Sequence, residues 1–143
     1  MKSLLLAALA ALTLATACKK DEDTPTPALM QVTGTFSGAN ETPAVTTSAT
    51  GNVSATYNKT TKILAYTVTY AGLTPTMGHF HIGAPGVAGP VVITFPYLAY
   101  SPITGSTLLS QVQEDALLAG NMYANLHTAT NTGGEIRANV VAK

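Results

Sequence analysis

The chain has 143 residues, enough for one domain of ordinary size, and no second domain is predicted. Charged residues make up only 10% of the chain, and its formal net charge is zero. Nucleic-acid binding depends on a strongly basic surface, so this composition argues against a nucleic-acid partner.

Residues 1–17 have the features of a lipoprotein signal peptide. Lys2 precedes an apolar run at 4–14, which is shorter than the roughly 20 residues of a transmembrane helix. The run ends in Leu14-Ala15-Thr16-Ala17-Cys18, which resembles a bacterial lipobox, where the cysteine thiol accepts the lipid. Cys18 is the only cysteine and has no disulfide partner, so we expect its lipidation. An ordinary signal peptide that happens to contain a cysteine is the alternative.

Residues 18–28 are predicted to form a flexible, lipid-anchored tether. The repeat Thr24-Pro25-Thr26-Pro27 disfavours a helix or a central strand. The segment Lys20-Asp21-Glu22-Asp23 resembles an acidic export signal of some surface lipoproteins, although a charged tether also serves solubility. The sequence therefore predicts a protein of the bacterial cell envelope, anchored in the outer membrane by the lipid on Cys18. Its exposure to the periplasm or at the cell surface is left open.

Short alternating segments predict an all-β domain over residues 29–143. The expected fold is an antiparallel Greek-key-like β-sandwich or barrel with one short α-helix at about 110–119. Strands are expected at 30–37, 51–57 and 63–70, and the last two should form an antiparallel hairpin through the loop 58–62.

The second half of the domain is predicted to contain more strands and the helix. Further strands are expected around His79 and His81 and at 91–95, 123–127 and 135–141. Pro102 and Gly105 are predicted to lie in an irregular stretch with Tyr97 and Tyr100. Ser110 and Gln113 form a capping-box pattern that predicts the start of the helix. Three apolar residues are expected on its buried side: Ala116, Leu117 and Leu118.

The three histidines are candidate metal ligands. His79 and His81 are two residues apart in an alternating run, so their imidazoles share one face of a strand. His127 lies in another alternating run, and folding can bring the three together around one Cu or Zn ion. Met77 falls on the same face, and its thioether would favour Cu(I). The alternative is that the imidazoles bond to backbone carbonyls or to Glu135 and fix the strand ends.

Two other groups of residues suggest weaker hypotheses. Glu41 and Glu135 are a conceivable carboxylate pair, whereas Glu135 and Arg137 share a strand face and indicate a surface or loop-anchoring pair. The tyrosines of the irregular stretch, Tyr97 and Tyr100, can form a contact patch for a glycan or a protein, or can cover one end of the core.

Several segments together resemble a CHRD domain, a module named after the developmental protein chordin and found in many bacterial secreted proteins. The resemblance runs over about residues 32–141 and implies no established enzymatic activity. It therefore implies a non-catalytic binding or structural module, with the single-site metal protein as the alternative. The segments that carry it are 37–45, 49–51, 64–73, 79–86, 89–92, 117–128 and 133–137.

Enzymatic activity is not expected from the sequence. The pair His79 and His81 resembles the His-x-His pair of Cu/Zn superoxide dismutase, but that site uses four histidines for copper alone. This chain has three histidines in total. A Ser/His/Asp hydrolase is also disfavoured, because no serine lies in a nucleophile-elbow context.

Overall fold

The computed structural model describes residues 29–143, and these form eight antiparallel strands in one curled sheet, a half-barrel, with one short helix. The predicted all-β class with one short helix is confirmed. The proposed signal peptide, Cys18 and the tether lie outside the described residues and stay predictions. The elements are β1 (Leu29–Phe36), β2 (Thr50–Asn58), β3 (Ile63–Ala71), β4 (Met77–Ile82), β5 (Val91–Thr94), β6 (Ile103–Leu108), α1 (Gln111–Leu118), β7 (Met122–His127) and β8 (Ile136–Ala142), with a 3-10 turn at Gly38–Asn40.

The curl of the sheet encloses the hydrophobic core. The strand order is β5-β4-β7-β8-β1-β2-β3-β6, so β3 and β4 lie near opposite edges. The ring centroids of Tyr66 in β3 and Phe80 in β4 are nevertheless only 5.2 Å apart. Phe95, which follows β5, packs against both rings at 5.5 and 5.0 Å. Of the two predicted architectures, a partly closed barrel therefore describes the domain better than a two-sheet sandwich.

The predicted hairpin of β2 and β3 is confirmed. The two strands pair over their full length, from Thr50 opposite Ala71 to Asn58 opposite Ile63. In the turn, Asn58 Oδ1 accepts hydrogen bonds from the backbone N–H groups of Thr60 and Thr61, at 2.9 and 3.0 Å. A side chain that bonds to its own turn fixes the loop length, and the loop length sets the register of the strands.

The helix begins where its capping box predicts. Ser110 Oγ accepts from the backbone N–H of Gln113, and the Gln113 side chain accepts from the Ser110 N–H. Leu117 is buried, but Leu118 is 44% exposed, so its predicted burial is wrong. Consecutive helical residues point about 100° apart, and this helix presents only a narrow apolar side to the sheet. Within residues 29–143 no helix has the length and apolarity needed to cross a bilayer.

The predicted irregular stretch around Gly105 is wrong, because residues 103–108 form the edge strand β6. This strand pairs with β3 from Ile63 opposite Leu108 to Val68 opposite Ile103. Pro102 stands just before the strand and removes no donor from its ladder. Gly105 lies against the Tyr66 ring, and a Cβ at this position would collide with that ring. The two residues that indicated a loop thus mark a strand start and a close packing contact.

Candidate metal centre

Strands β4 and β7 bring the three histidines together on one face of the sheet. Their antiparallel register places Met77 opposite His127 and His79 opposite Asn125. One ring nitrogen from each of His79, His81 and His127 lies within 4.8 Å of the others. The predicted convergence of the imidazoles is therefore observed, while metal binding itself stays a prediction.

The spacing of the His79 and His127 imidazoles suits a small metal ion. His79 Nδ1 and His127 Nε2 are 3.3 Å apart. Zinc binds histidine nitrogen at about 2.0–2.1 Å, and a tetrahedral arrangement at that distance separates two ligand nitrogens by about 3.3 Å. His81 and His127 are buried and His79 is half-buried, so the cluster lies just below the surface. An ion could therefore enter beside His79.

Backbone carbonyls fix the orientation of two of the three rings. His81 Nδ1 donates to the carbonyl oxygen of Gly89, and His127 Nδ1 donates to that of Thr132, both at 2.9 Å. A carbonyl only accepts, so each Nδ1 carries a proton and each neutral ring keeps a lone pair on Nε2. Histidine ligands of metals are commonly held by such a second bond. The carbonyl bonding that we considered as an alternative is thus present and leaves both Nε2 atoms available.

A fourth side chain meets the histidines at the centre of the cluster. Asn125 is 3% exposed, and its Oδ1 lies 2.9 Å from His81 Nε2 and 3.0 Å from His127 Nε2. Asn125 was not among the ligands predicted from the sequence. Its alternation with His127 in β7 was the available signal, because both residues share one strand face.

A stack of side chains holds the loop 83–90 over His81. The Tyr123 ring stacks on the His81 ring, with ring centroids 4.7 Å apart. The guanidinium carbon of Arg137, a residue of β8, lies 3.5 Å from the centroid of the Tyr123 ring. Arg137 donates to the carbonyls of Ala84 and Val87 in this loop, at 2.8 and 3.0 Å. These contacts position the loop whose carbonyl at residue 89 orients His81.

The glycine at position 89 is required for this arrangement. Its N–H donates to the Tyr123 hydroxyl at 3.1 Å while its carbonyl accepts from His81. A Cβ on Gly89 would collide with the carbonyl oxygen of Ile82. The close approach of two backbone segments therefore explains the glycine at this position.

The surroundings of His79 and His81 favour their neutral imidazole form. Burial lowers the pKa of His79 and of His81 below the ordinary value, because it disfavours the charged imidazolium. Neighbouring histidines lower both pKa values further. For His81, the contacts with Gly89 and Asn125 partly oppose the lowering, and the Arg137 charge adds to it. The lowered pKa values favour the neutral form of His79 and His81, which is the form that ligates a metal.

The structure separates the predicted pair of Glu135 and Arg137. Glu135 accepts hydrogen bonds from the hydroxyls of Thr47 and Thr128, both at 2.7 Å, whereas Arg137 is 1% exposed and bonds to backbone carbonyls and to Asn139. The predicted pairing is wrong, because Glu135 bonds to two threonine hydroxyls and Arg137 to loop carbonyls and Asn139, and the two side chains do not bond to each other. Glu135 also makes no hydrogen bond to the three histidines within residues 29–143.

Two other predicted positions lie at the surface. Met77 is 45% exposed and stands opposite His127 in the strand register, and its role as a ligand stays a prediction. Tyr97 and Tyr100 are 92% and 84% exposed in the connection between β5 and β6, where they line a hollow of about 200 Å³. Their exposure contradicts the alternative of a core cover, and a glycan or protein partner stays a prediction.

Comparison with known proteins found a family and no individual relative. The family model described as CHRD domain matches residues 32–140. This match agrees with the resemblance over about residues 32–141 that the sequence segments carry. Neither the comparison with curated proteins nor the comparison with solved structures gave a match.

Proposed function

The chain belongs to the CHRD domain family, and we propose that this member binds one Cu or Zn ion through His79, His81 and His127. The observation that carries the proposal is the set of three imidazole nitrogens within 4.8 Å. Neutral imidazole is a good ligand for both metals. The carbonyl bonds of His81 and His127 support the proposal further, since they hold the two rings ready before an ion arrives.

We propose binding rather than catalysis as the role of this site. A catalytic zinc keeps an open position where water or substrate binds. Here the side of the cluster between His81 and His127 faces the buried amide of Asn125. A cluster that is closed by a protein side chain suits storage, transport or structural stabilisation by the ion.

Metal analysis of the purified full chain in detergent tests the proposal. After loading with Zn(II) or Cu(II) and removal of the excess, we expect one ion per chain. The double variant His79→Ala with His81→Ala should retain less than one tenth of that amount, because two of three nitrogen ligands are lost. Met77→Leu is the matched control and should retain full Zn(II) uptake, since a thioether contributes to Cu(I) rather than to Zn(II). Absence of uptake by the wild type, or unchanged uptake by the double variant, would contradict the proposal.

We further propose that the protein is exported and anchored in the outer membrane of the bacterial cell envelope through a lipid on Cys18. The lipobox-like segment 14–18 and the single cysteine support this location. Mass spectrometry of the mature N-terminus should show an acylated Cys18, and Cys18→Ala should move the protein from the membrane to the soluble fraction. A free thiol on Cys18 in the membrane-bound protein would exclude lipid anchoring.

The exposed tyrosines favour a second candidate function, a binding module for a glycan or a protein. Large aromatic side chains that stand free in an uncharged loop offer flat apolar faces with a polar tip. Tyr97 and Tyr100 have this character, and the hollow beside them is lined by Pro96 and Pro102. If the metal analysis finds no ion, this surface becomes the principal candidate site of the domain.

A further inference from the structure

The hydrogen bonds around Asn125 do not balance in the absence of an ion. His81 Nδ1 and His127 Nδ1 both donate to carbonyls, so in the neutral rings each Nε2 can only accept. Asn125 Oδ1, which lies 2.9 and 3.0 Å from these two nitrogens, can also only accept. Asn125 Oδ1 therefore faces two other acceptors with no proton in either contact, and both contacts are repulsive. His79 Nδ1, 3.3 Å from His127 Nε2, can donate to that nitrogen but leaves both contacts with Oδ1 unrelieved.

Two arrangements relieve this repulsion, and both use the same residue. A cation between the lone pairs turns Oδ1 and the two Nε2 atoms into ligands. Alternatively, a half-turn of the Asn125 amide replaces its oxygen by its NH2 group, which has two protons, one for each Nε2. The two ends of the amide are nearly equal in size, so the half-turn needs no movement of the strands.

We propose that Asn125 is a switchable fourth ligand, whose NH2 group donates to His81 and His127 in the metal-free protein and whose oxygen completes the site when an ion binds. This inference rests on the proposed metal-binding function. The burial of Asn125, 3% exposed in the middle of β7, supports it, because water cannot take over either role there. The amide keeps the empty cluster hydrogen-bonded and its imidazoles in place.

The fourth ligand also narrows the class of metal. Three imidazoles and an amide oxygen form a ligand set without sulfur, and such a set favours a borderline divalent ion over Cu(I), which prefers thiolates and thioethers. Three of the distances between ligand atoms, which lie between 2.9 and 3.3 Å, fit an ion about 2.0–2.1 Å from each atom. Zn(II) and Cu(II) are therefore the expected ions, and exposed Met77 is not needed for either.

Calorimetric titration of the full chain in detergent with Zn(II) measures the binding affinity and tests the role of Asn125. Asn125→Leu should weaken Zn(II) binding by about tenfold or more, because the oxygen ligand is lost. Asn125→Asp, which keeps an oxygen and adds a negative charge, should bind at least as tightly as the wild type. Asn52→Asp, an exposed change of the same kind on β2, should stay within twofold. If the wild type binds zinc and Asn125→Leu binds it with the same affinity, the inference about Asn125 is overturned but the proposed function stands. If the wild type does not bind zinc, both are overturned.

Nuclear magnetic resonance of the unsubstituted protein supplies a measurement that does not depend on the folding of a variant. The side-chain NH2 protons of Asn125 should show hydrogen bonds to the Nε2 atoms of His81 and His127 before zinc is added. Stoichiometric zinc should abolish both hydrogen bonds. NH2 resonances that zinc leaves unchanged, in a sample shown to have bound it, would overturn the amide switch.

Discussion

Replacement of Arg137 by methionine is expected to lower the free energy of unfolding by about 2–4 kcal/mol, because it removes several bonds from one charged group. Arg137 is the only arginine of the chain and is 1% exposed. It donates to the carbonyls of Ala84 and Val87 and covers the Tyr123 ring. Methionine fills a similar volume but has no donor, so the two carbonyls and the ring lose their partner. Urea denaturation of both proteins measures the difference.

A second consequence of the same change should appear at the metal centre. The loop that Arg137 holds carries the carbonyl of Gly89, which orients His81. We therefore expect the zinc affinity of Arg137→Met to fall by about tenfold, the typical effect of losing an outer-shell partner.

Lys62→Met is the matched control for the stability measurement. Lys62 pairs with Glu114 at 2.8 Å but is 40% exposed, and its loss should change stability by less than about 1 kcal/mol. If Arg137→Met changes the free energy of unfolding as little as Lys62→Met does, the buried stack of Arg137 and Tyr123 does not hold the loop.

The stability of the wild type relative to Glu41→Gln is expected to fall by about 3 kcal/mol as the pH rises from 4.5 to above 7. Glu41 is 9% exposed, and its Oε1 has no hydrogen-bond partner within residues 29–143. Burial raises its pKa to about 7 against an ordinary value of 4.5, although the charge of Arg137 partly opposes this. Because the unfolded chain releases the proton first, stability is full below about pH 4.5 and is lost as the pH rises through the folded pKa. Glutamine does not ionise and shows no such loss.

Glu135→Gln provides a control of opposite sign for this measurement. Hydrogen bonds from the hydroxyls of Thr128 and Thr47 hold the pKa of Glu135 below its ordinary value. The stability that Glu135 contributes is therefore present above its unfolded pKa and is lost as the pH falls through the folded pKa. Urea denaturation at several pH values should thus give opposite trends for the two variants. A pH-independent difference between the wild type and Glu41→Gln would mean that Glu41 is ionised as freely in the folded protein as in the unfolded chain.

The fold was predictable where the signal was local. Alternation and the Asn58 turn were enough to place the β2–β3 hairpin, and the Ser110 capping box was enough to place α1. Strand β6 was missed because Pro102 and Gly105 are typical loop residues. Only its pairing with β3 shows that the proline stands outside the ladder and that the glycine makes room for Tyr66.

The histidine cluster was predictable in part for the same reason. Alternation put His79 and His81 on one strand face, since side chains two residues apart always share a face. Alternation puts Asn125 on the strand face of His127, but its contribution was not predictable, because asparagine side chains are mostly exposed in folded proteins and this one is buried. Arg137 was expected to form a surface or loop-anchoring pair with Glu135, and its burial depends on a tyrosine ring and two loop carbonyls that the sequence does not place beside it.

The sequence by itself determined the class of fold, most of the strands, the helix start, the family and the faces on which the histidines lie. These properties depend on interactions between residues close together in the chain or on a pattern read along it. The tertiary structure decided the closing of the sheet and the pairing of β4 with β7, which are separated in the chain by two strands and a helix. It also decided that His127 and Asn125 meet His81. Such contacts depend on the packing of the whole core, and no local pattern encodes them.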